Sequence, residues 1–392
     1  MNRKRFNVSE ANKSTIQQVN VSAANKPTIL RFNTRAASST HRLTALPNNR
    51  ITASPNNRIT ASQPMKTLLF ILIALIAASC NQPSTFHTDS GKVFGTYYRI
   101  VYQSNTPLHD GIKSSLKQVN ASLSTFDSTS IISRINQNDT TVVADSLFAL
   151  VFNTAQQVSM QTHGAFDITV APLVNAWGFG FDPTRNRTQA TIDSLKACVG
   201  YSKIALQKGK IIKTVPCVQL DASAIAKGLG CDVVAHYLES QGVGHYLVDI
   251  GGEMRLKGFN AQGKEWRVGI QQPKEDSLLV SNQIAAILQT SNVGIATSGN
   301  YRQFYYQDGQ KISHTIDPRT GYPTAHNLLS TTVIAPSAML ADAYATAFMV
   351  LGDKDSIEAI AQSQQLAVYL LYASHDSIQA SYNALFETYL VP

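Results

Sequence analysis

Asp342 and Thr346 stand four residues apart in a run of small residues, Ala341-Asp342-Ala343-Tyr344-Ala345-Thr346. On a helix that spacing puts a carboxylate and a hydroxyl on one face. Both are hard oxygen donors of the kind taken by Mg²⁺ or Ca²⁺, and Mg²⁺ usually completes its shell with phosphate and water. The plain alternative is an acid in a first helical turn that answers the helix dipole. A second segment, Asp221-Ala222-Ser223-Ala224-Ile225-Ala226-Lys227-Gly228, reads as the end of a strand, a turn of small residues and the start of a helix. A helix N-terminus exposes N–H groups and favours anions. Ala224 and Gly228 keep the surface low enough for a diphosphate to come close, and Lys227 could neutralise it. The alternative is a capped amphipathic helix whose lysine stem lies along apolar surface. Neither a Walker A loop nor a Gly-x-Gly-x-x-Gly pattern is present there.

A third segment, His314-Thr315-Ile316-Asp317-Pro318-Arg319-Thr320-Gly321, ends a strand in a turn fixed by Pro318 and Gly321. His314 has the pKa range of a general base at neutral pH. Arg319 carries a fork suited to phosphate. Alternatively, the polar groups of this turn satisfy one another. Trp177-Gly178-Phe179-Gly180, shortly after Pro172, offers an aromatic that can lie against a flat ring or serve as core.

The elements that must position these residues mix both periodicities. Helices are expected over 108–124, around Leu147 to Val158 with Gly164 as the stop, over 192–199, from Asp221 to about Gln241, from the Ser337 cap to Gly352, and over 356–365. Strands are expected over 97–102, 202–206, 211–215, up to Leu220, and over 245–250, 254–257, 266–270, 331–335 and 367–372. Segments 301–306 and 311–316 should pair across Asp308-Gly309. No linker rich in Pro, Gly or Ser follows residue 90. Irregular alternation in one unit points to a single α+β domain over 91–392.

The net charge of +8 belongs to the N-terminus. Of 33 Lys and Arg and 25 Asp and Glu, residues 1–64 hold ten basic and one acidic, leaving 23 against 24. The remaining chain therefore has no electrostatic footprint for nucleic acid. Residues 47–54 and 55–62 both read PNNRITAS, too few copies to stack as a solenoid. Residues 1–64 read as a disordered leader or as a stretch ahead of a true start at Met65. Lys66, the apolar run 68–76 and Ala77-Ala78-Ser79 then form a secretory signal over 65–79, too short to span a membrane. Cys80 directly after the small residues resembles a bacterial lipobox, with Ala77 where Leu is usual. A lipid on Cys80 and a tether over 80–90 would hold the domain at a membrane on the periplasmic or extracytoplasmic side. The alternative is an ordinary secretory signal with an incidental cysteine. Cys198, Cys217 and Cys231 show no metal-cage spacing. One disulfide, such as Cys198–Cys217, and buried free thiols are both compatible with export.

Taken in order, these pieces resemble the FAD:protein FMN transferase family, the ApbE type. The resemblance runs from about Gly91 to Gly352. It rests on Phe94-Gly95-Thr96, on Ser124-Thr125-Phe126 with Ser130 and Asn136, on Gly164 to Thr169, and on Trp177-Gly178. It continues through Leu220 to Gly228, Val248 to Glu253, Thr297 to Asn300, His314 to Gly321, and Ala341-Asp342-Ala343 with Thr346. The resemblance implies layered sheets and helices around a duplicated T-fold-like core. It implies that Asp342, Thr346 and the carbonyl of Ala224 bind Mg²⁺. It implies FAD contacts from Asp221, Lys227, Phe126 and Ala176-Trp177-Gly178. Phe94 stands where Met usually touches flavin, and Phe126 where Tyr is usual. His314 is the candidate base beside the FAD site, with Asp342 and Lys227 as its catalytic partners and Arg319 near phosphate.

The implied reaction moves FMN from FAD onto a Thr or Ser hydroxyl of an exported or membrane redox protein, with release of AMP. The implied acceptors are flavin-carrying subunits of membrane redox complexes and exported reductases. An Mg²⁺-dependent FAD pyrophosphatase would use the same site with water as acceptor. A non-catalytic FAD-binding lipoprotein would need no metal pair.

Overall fold

Every residue of the strand Leu328–Ala335 is buried, so both of its faces must be covered. In the computed structural model it lies inside an antiparallel sheet with helices on one face and a β-ribbon on the other. The structure describes residues 85–181, 187–273, 283–300, 303–307, 309–374 and 377–391. The leader, the signal segment and Cys80 lie outside the described residues, as do Tyr301 and Asp308 of the expected hairpin.

The described residues open with β1 (Thr85–Val93) and β2 (Thr96–Ser104), followed by α1 (His109–Leu123), α2 (Ile131–Asn136), α3 (Ser146–Gln161), α4 (Ala171–Ala176) and α5 (Gln189–Lys196). Next come β3 (Ile204–Gln207), β4 (Lys210–Lys213), α6 (Ala226–Ser240), β5 (Tyr246–Ile250), β6 (Glu253–Lys257), β7 (Trp266–Gln271) and β8 (Ile284–Thr290). The last part holds β9 (Val293–Gly299), β10 (Phe304–Gln307), β11 (Gln310–Ser313), β12 (Leu328–Ala335), α7 (Ala338–Leu351), α8 (Lys354–Gln364), β13 (Ala367–Ser374), β14 (Ser377–Tyr382) and α9 (Ala384–Glu387).

The eight-stranded sheet has the order β1-β2-β5-β6-β9-β12-β13-β14. Its two halves repeat one plan: two strands, a long helix, then two more strands, with α6 serving β1-β2-β5-β6 and α7 serving β9-β12-β13-β14. This is the duplicated α+β core the resemblance implied. On the helix face, Ile100, Val248 and Ile250 pack with Cys231, Val234 and Leu238 of α6, and Ala296 and Val333 pack with Ala341, Tyr344 and Phe348 of α7. On the other face, Leu256, Ile295, Ile334 and Leu371 meet Trp266, Val268 and Leu288 of the β7–β8 ribbon and Phe386 of α9. Period-two alternation is thus lost in the central strands because both faces are dry.

Helix termini follow the expected chemistry at α7. The Ser337 side chain accepts from the Leu340 N–H, and Gly352 closes the helix in the left-handed region at φ 68°. Asp232 of α6 adds a second cap, accepting from the N–H groups of Ala338 at 3.0 Å and Met339 at 2.8 Å.

Three expectations are corrected. Residues 85–90, expected within the tether, belong to β1, which pairs with β2 from Thr85↔Ser104 to Val93↔Thr96. Its polar side chains suit an edge strand, and Asp89 anchors it by accepting from the Tyr102 hydroxyl at 2.8 Å. The helix expected from Asp221 begins at Ala226 instead. The Asp221 carboxylate accepts from the Ser223 N–H at 2.8 Å, a local bond that competes with helix formation. The segment ending at Leu220 makes one isolated bridge, Val170↔Gln219, rather than a strand. Its backbone is held by the Asn136 side chain, which accepts from the Leu220 N–H at 2.7 Å and donates to its carbonyl at 2.8 Å.

Candidate active site

The two long helices meet where α6 has no side chain and α7 presents its backbone. A Cβ on Gly228 would lie 2.3 Å from the Ala338 carbonyl oxygen and 2.7 Å from the Met339 Cα. Glycine is therefore needed for the first turn of α6 to touch α7. The contact brings together residues far apart in sequence. The Gly228 N–H donates to Asp342 Oδ2 at 3.0 Å. The α6 N-terminus has no side-chain cap of its own, so Asp342 supplies from the facing helix what a local cap would supply.

Lys227, next to Gly228, turns its ammonium into the same centre. Its Nζ lies 3.2 Å from Glu253 Oε1 and 3.7 Å from Asp342 Oδ1. Asp342 is 2% and Glu253 5% exposed. Burial alone would lower the Lys227 pKa, but the charges of Asp342 and Glu253 outweigh it and hold the ammonium protonated well above its ordinary range. Burial pushes the Glu253 pKa up; Lys227 opposes that shift and repulsion from Asp342 adds to it. Glu253 Oε2 is buried without a hydrogen-bond partner among the described residues. One turn beyond Asp342, the Thr346 hydroxyl lies 3.2 Å from Ser298 Oγ on β9.

His314 follows β11 and is half-buried. Its Nδ1 lies 3.1 Å from the Gln303 carbonyl oxygen. A carbonyl only accepts, so Nδ1 carries the proton and Nε2 of the neutral ring keeps its lone pair. Burial lowers the His314 pKa, the bond to Gln303 partly offsets this, and the charge of Lys227 lowers it further. The Phe179 ring lies edge-on, 6.3 Å away.

The aromatic candidates divide. Phe94, at φ 49°, and Gly95, at φ 73°, form the tight turn between β1 and β2. The Phe94 ring lies against α6, where a Cβ on Gly230 would meet it at 2.7 Å. Phe126 is 79% exposed, an apolar face open to a ligand. Ala176 and Trp177 are buried. The Trp177 indole N–H donates to the Gly321 carbonyl at 2.8 Å, and the ring packs edge-on against Tyr322. The indole is committed to the protein, and half-buried Gly178, at φ 85°, is the more open part of that strip. Asp221 is half-buried before the α6 turn that carries Ala224. Arg319 differs from expectation. Its Nε and Nη2 donate to Asp317 Oδ1 and Oδ2 at 2.9 and 2.8 Å, so the fork holds its own turn together.

The sequence assigns no role to Glu253, at the end of the Val248 to Glu253 segment. Only the pairing of β5 with β6, Ile250↔Glu253, sets it beneath Lys227. The lone signal in the sequence was a carboxylate directly after Gly251-Gly252. Of the two cysteine states the sequence left open, Cys198 and Cys217 form a disulfide, and Cys231 is a buried free thiol. Among the described residues no cluster of three or more His, Cys, Asp and Glu side chains stands ready for a metal, and no helix is long and apolar enough to cross a membrane.

Fold and site together define an α+β protein built from two like halves, with a lysine–carboxylate centre at the seam of their helices. Residues 94–370 match the ApbE family. The chain is 36% identical over 336 residues to the FAD:protein FMN transferase of Haemophilus influenzae, covering 82% of this chain and 96% of that protein. It is 34% identical to the protein of the same name from Escherichia coli K12, covering 82% and 98%. The solved structure of the flavin transferase ApbE from Vibrio cholerae superposes with a TM-score of 0.70 at 35% identity, covering 79% of this chain and all of that one. The chain belongs to the ApbE family.

Proposed function

We propose that the protein transfers the FMN half of FAD to a Thr or Ser hydroxyl of an exported or membrane redox protein, releasing AMP in an Mg²⁺-dependent reaction. The observation that carries this reading is the buried centre of Lys227, Asp342 and Glu253 at the α6–α7 contact, in a chain whose relatives are named for that transfer.

The residues fit Mg²⁺. Asp342, the Thr346 hydroxyl and the Ala224 carbonyl are hard oxygen donors. Repulsion between Glu253 and Asp342, and the orphaned Glu253 Oε2, mark a centre with more carboxylate than one ammonium balances. Bound there, Mg²⁺ would offset negative charge on the FAD diphosphate as its P–O–P linkage is cleaved.

The chain's own groups do the rest. Lys227 attracts the diphosphate. Phe94 and Phe126 offer apolar faces to the flavin, with the backbone near Gly178 and the side chain of Asp221 orienting FAD. His314 Nε2 takes the proton from the acceptor hydroxyl. The hydroxyl oxygen forms a bond to the FMN phosphorus, the bond to the AMP oxygen breaks, and AMP leaves with the electron pair. Arg319 holds the turn that presents His314 by closing on Asp317.

A lipid on Cys80 and a catalytic domain on the extracytoplasmic side complete the reading. The Cys198–Cys217 disulfide supports an oxidising compartment. The test is AMP release from FAD with and without an exported flavoprotein subunit bearing a Thr or Ser acceptor. Release that needs both the acceptor and a divalent cation supports transfer. Release that ignores the acceptor favours the pyrophosphatase, and intact FAD throughout leaves only a flavin-binding protein.

A further inference from the structure

A buried carboxylate with one unpartnered oxygen is an expensive thing to keep. Glu253 is 5% exposed, and its Oε2 has no hydrogen-bond partner among the described residues. Replacing a buried ion pair as a whole with well-packed apolar side chains is often neutral or stabilising, whereas removing one partner alone is costly. Stability alone therefore does not account for keeping the Lys227–Glu253 pair. Its surroundings hold it firmly. Gly251 and Gly252 reach φ of 69° and 106° to turn the chain into β6. The Gly252 N–H donates to Asp249 Oδ1 at 2.9 Å, and the Cys231 thiol donates to the Glu253 carbonyl at 3.1 Å. The Glu253 backbone is thus anchored on both sides, while its partner Lys227 is a long, flexible chain.

The geometry around Lys227 is unequal. Its Nζ is within bonding distance of Glu253 Oε1 at 3.2 Å but stands off from Asp342 Oδ1 at 3.7 Å. Asp342 Oδ2 is already occupied by the Gly228 N–H. Oδ1 is then the oxygen for which the lysine and an incoming cation compete. We propose that Glu253 is a positioning residue that draws the Lys227 ammonium off Asp342 and so keeps Oδ1 open to a divalent cation. This rests on the reading of Asp342 as a cation ligand given above. In the absence of Glu253 the ammonium is free to close on Asp342, and the same lysine that serves the diphosphate blocks the metal.

The test is direct binding of Mn²⁺, without FAD, to the full chain, read from the electron paramagnetic resonance signal of the free ion. The variants are E253Q, E253A, K227M, K227M/E253Q and D342N. Glu253 variants should weaken Mn²⁺ binding by roughly 10- to 100-fold, the usual cost of losing a group that orients a ligand. The K227M/E253Q double variant should recover binding toward the wild-type value, because the competing ammonium is gone. Thermal melts of each variant report folding separately. A role in folding alone would leave the double variant as weak as E253Q, and that result overturns the proposal. So does wild-type affinity in E253Q and E253A while D342N loses binding, which leaves the metal reading intact. Absence of Mn²⁺ binding in the wild type overturns the proposal and the metal reading together.

Discussion

The Gly228 N–H and the Asp342 carboxylate, 114 residues apart in the chain, meet at 3.0 Å across the seam between α6 and α7. This bond joins the two halves of the sheet at the residues proposed to carry the chemistry. It caps one helix, orients the carboxylate of the other, and leaves Asp342 Oδ1 facing Lys227. The segment from Asp221 to Gly228 and the Asp342–Thr346 pair thus meet at a single centre.

The closeness of that seam is itself testable. A methyl group at Gly228 would sit 2.3 Å from the Ala338 carbonyl oxygen, and backbone cannot rotate away as a side chain can. G228A should destabilise the fold by about 1–3 kcal/mol, the usual cost of overpacking. A thermal melt should show a lower Tm, and residual FAD turnover should fall further than the melt explains, because α7 is pushed back together with Asp342. An unchanged Tm would mean that the helices are not in contact there.

His314 predicts a pH profile. The group works as a base only when neutral, so the rate falls as pH drops through its pKa. Burial, with a further contribution from Lys227, places that pKa below the ordinary 6.5. The acid limb of kcat/KM should therefore lie below pH 6.5, with a flat rate from there toward neutrality. H314N should lose roughly 10²–10⁴-fold in kcat with a smaller change in KM for FAD, and the acid limb should disappear. A limb that survives in H314N belongs to another group.

The Cys198–Cys217 bond closes a loop with a sequence separation of 19. A crosslink of that span contributes about 3 kcal/mol by restricting the unfolded chain. Reduction, or the C198S/C217S double substitution, should lower the Tm by several degrees. FAD turnover at room temperature should persist, since neither cysteine touches the centre. Loss of turnover in a folded, reduced protein would show that the bond also positions Asp221, four residues beyond Cys217.

Much of the candidate site was legible because its signals are local. A carboxylate and hydroxyl at i and i+4, a lysine after a turn of small residues, and a histidine before a Pro–Gly turn are all written within eight residues. Glu253 was not legible as a partner, since its contact with Lys227 depends on strand pairing across the fold. The fold was readable where periodicity was clean, as in α1, α3 and α7 with its Ser337 cap and Gly352 stop. β9, with the sequence Val-Gly-Ile-Ala-Thr-Ser-Gly, went unassigned because it is short of bulky β-formers. Gly294 within it exists to admit the α7 entry, where an added Cβ would lie 2.1 Å from the Ser337 carbonyl carbon. β1 was hidden by its polar composition, which marks an edge strand as readily as a tether.

The central claim is tested most directly by the intact mass of an acceptor. The wild-type chain and D342N, which keeps the shape of the side chain and its capacity to accept from Gly228, would each be incubated with FAD, Mg²⁺ and an exported flavoprotein subunit carrying a Thr or Ser acceptor. The account predicts one added FMN on the acceptor with the wild type. It predicts none after chelation of Mg²⁺, and a rate at least about 100-fold lower with D342N. Full FMN addition by a folded D342N, or addition that is indifferent to chelation, would contradict it.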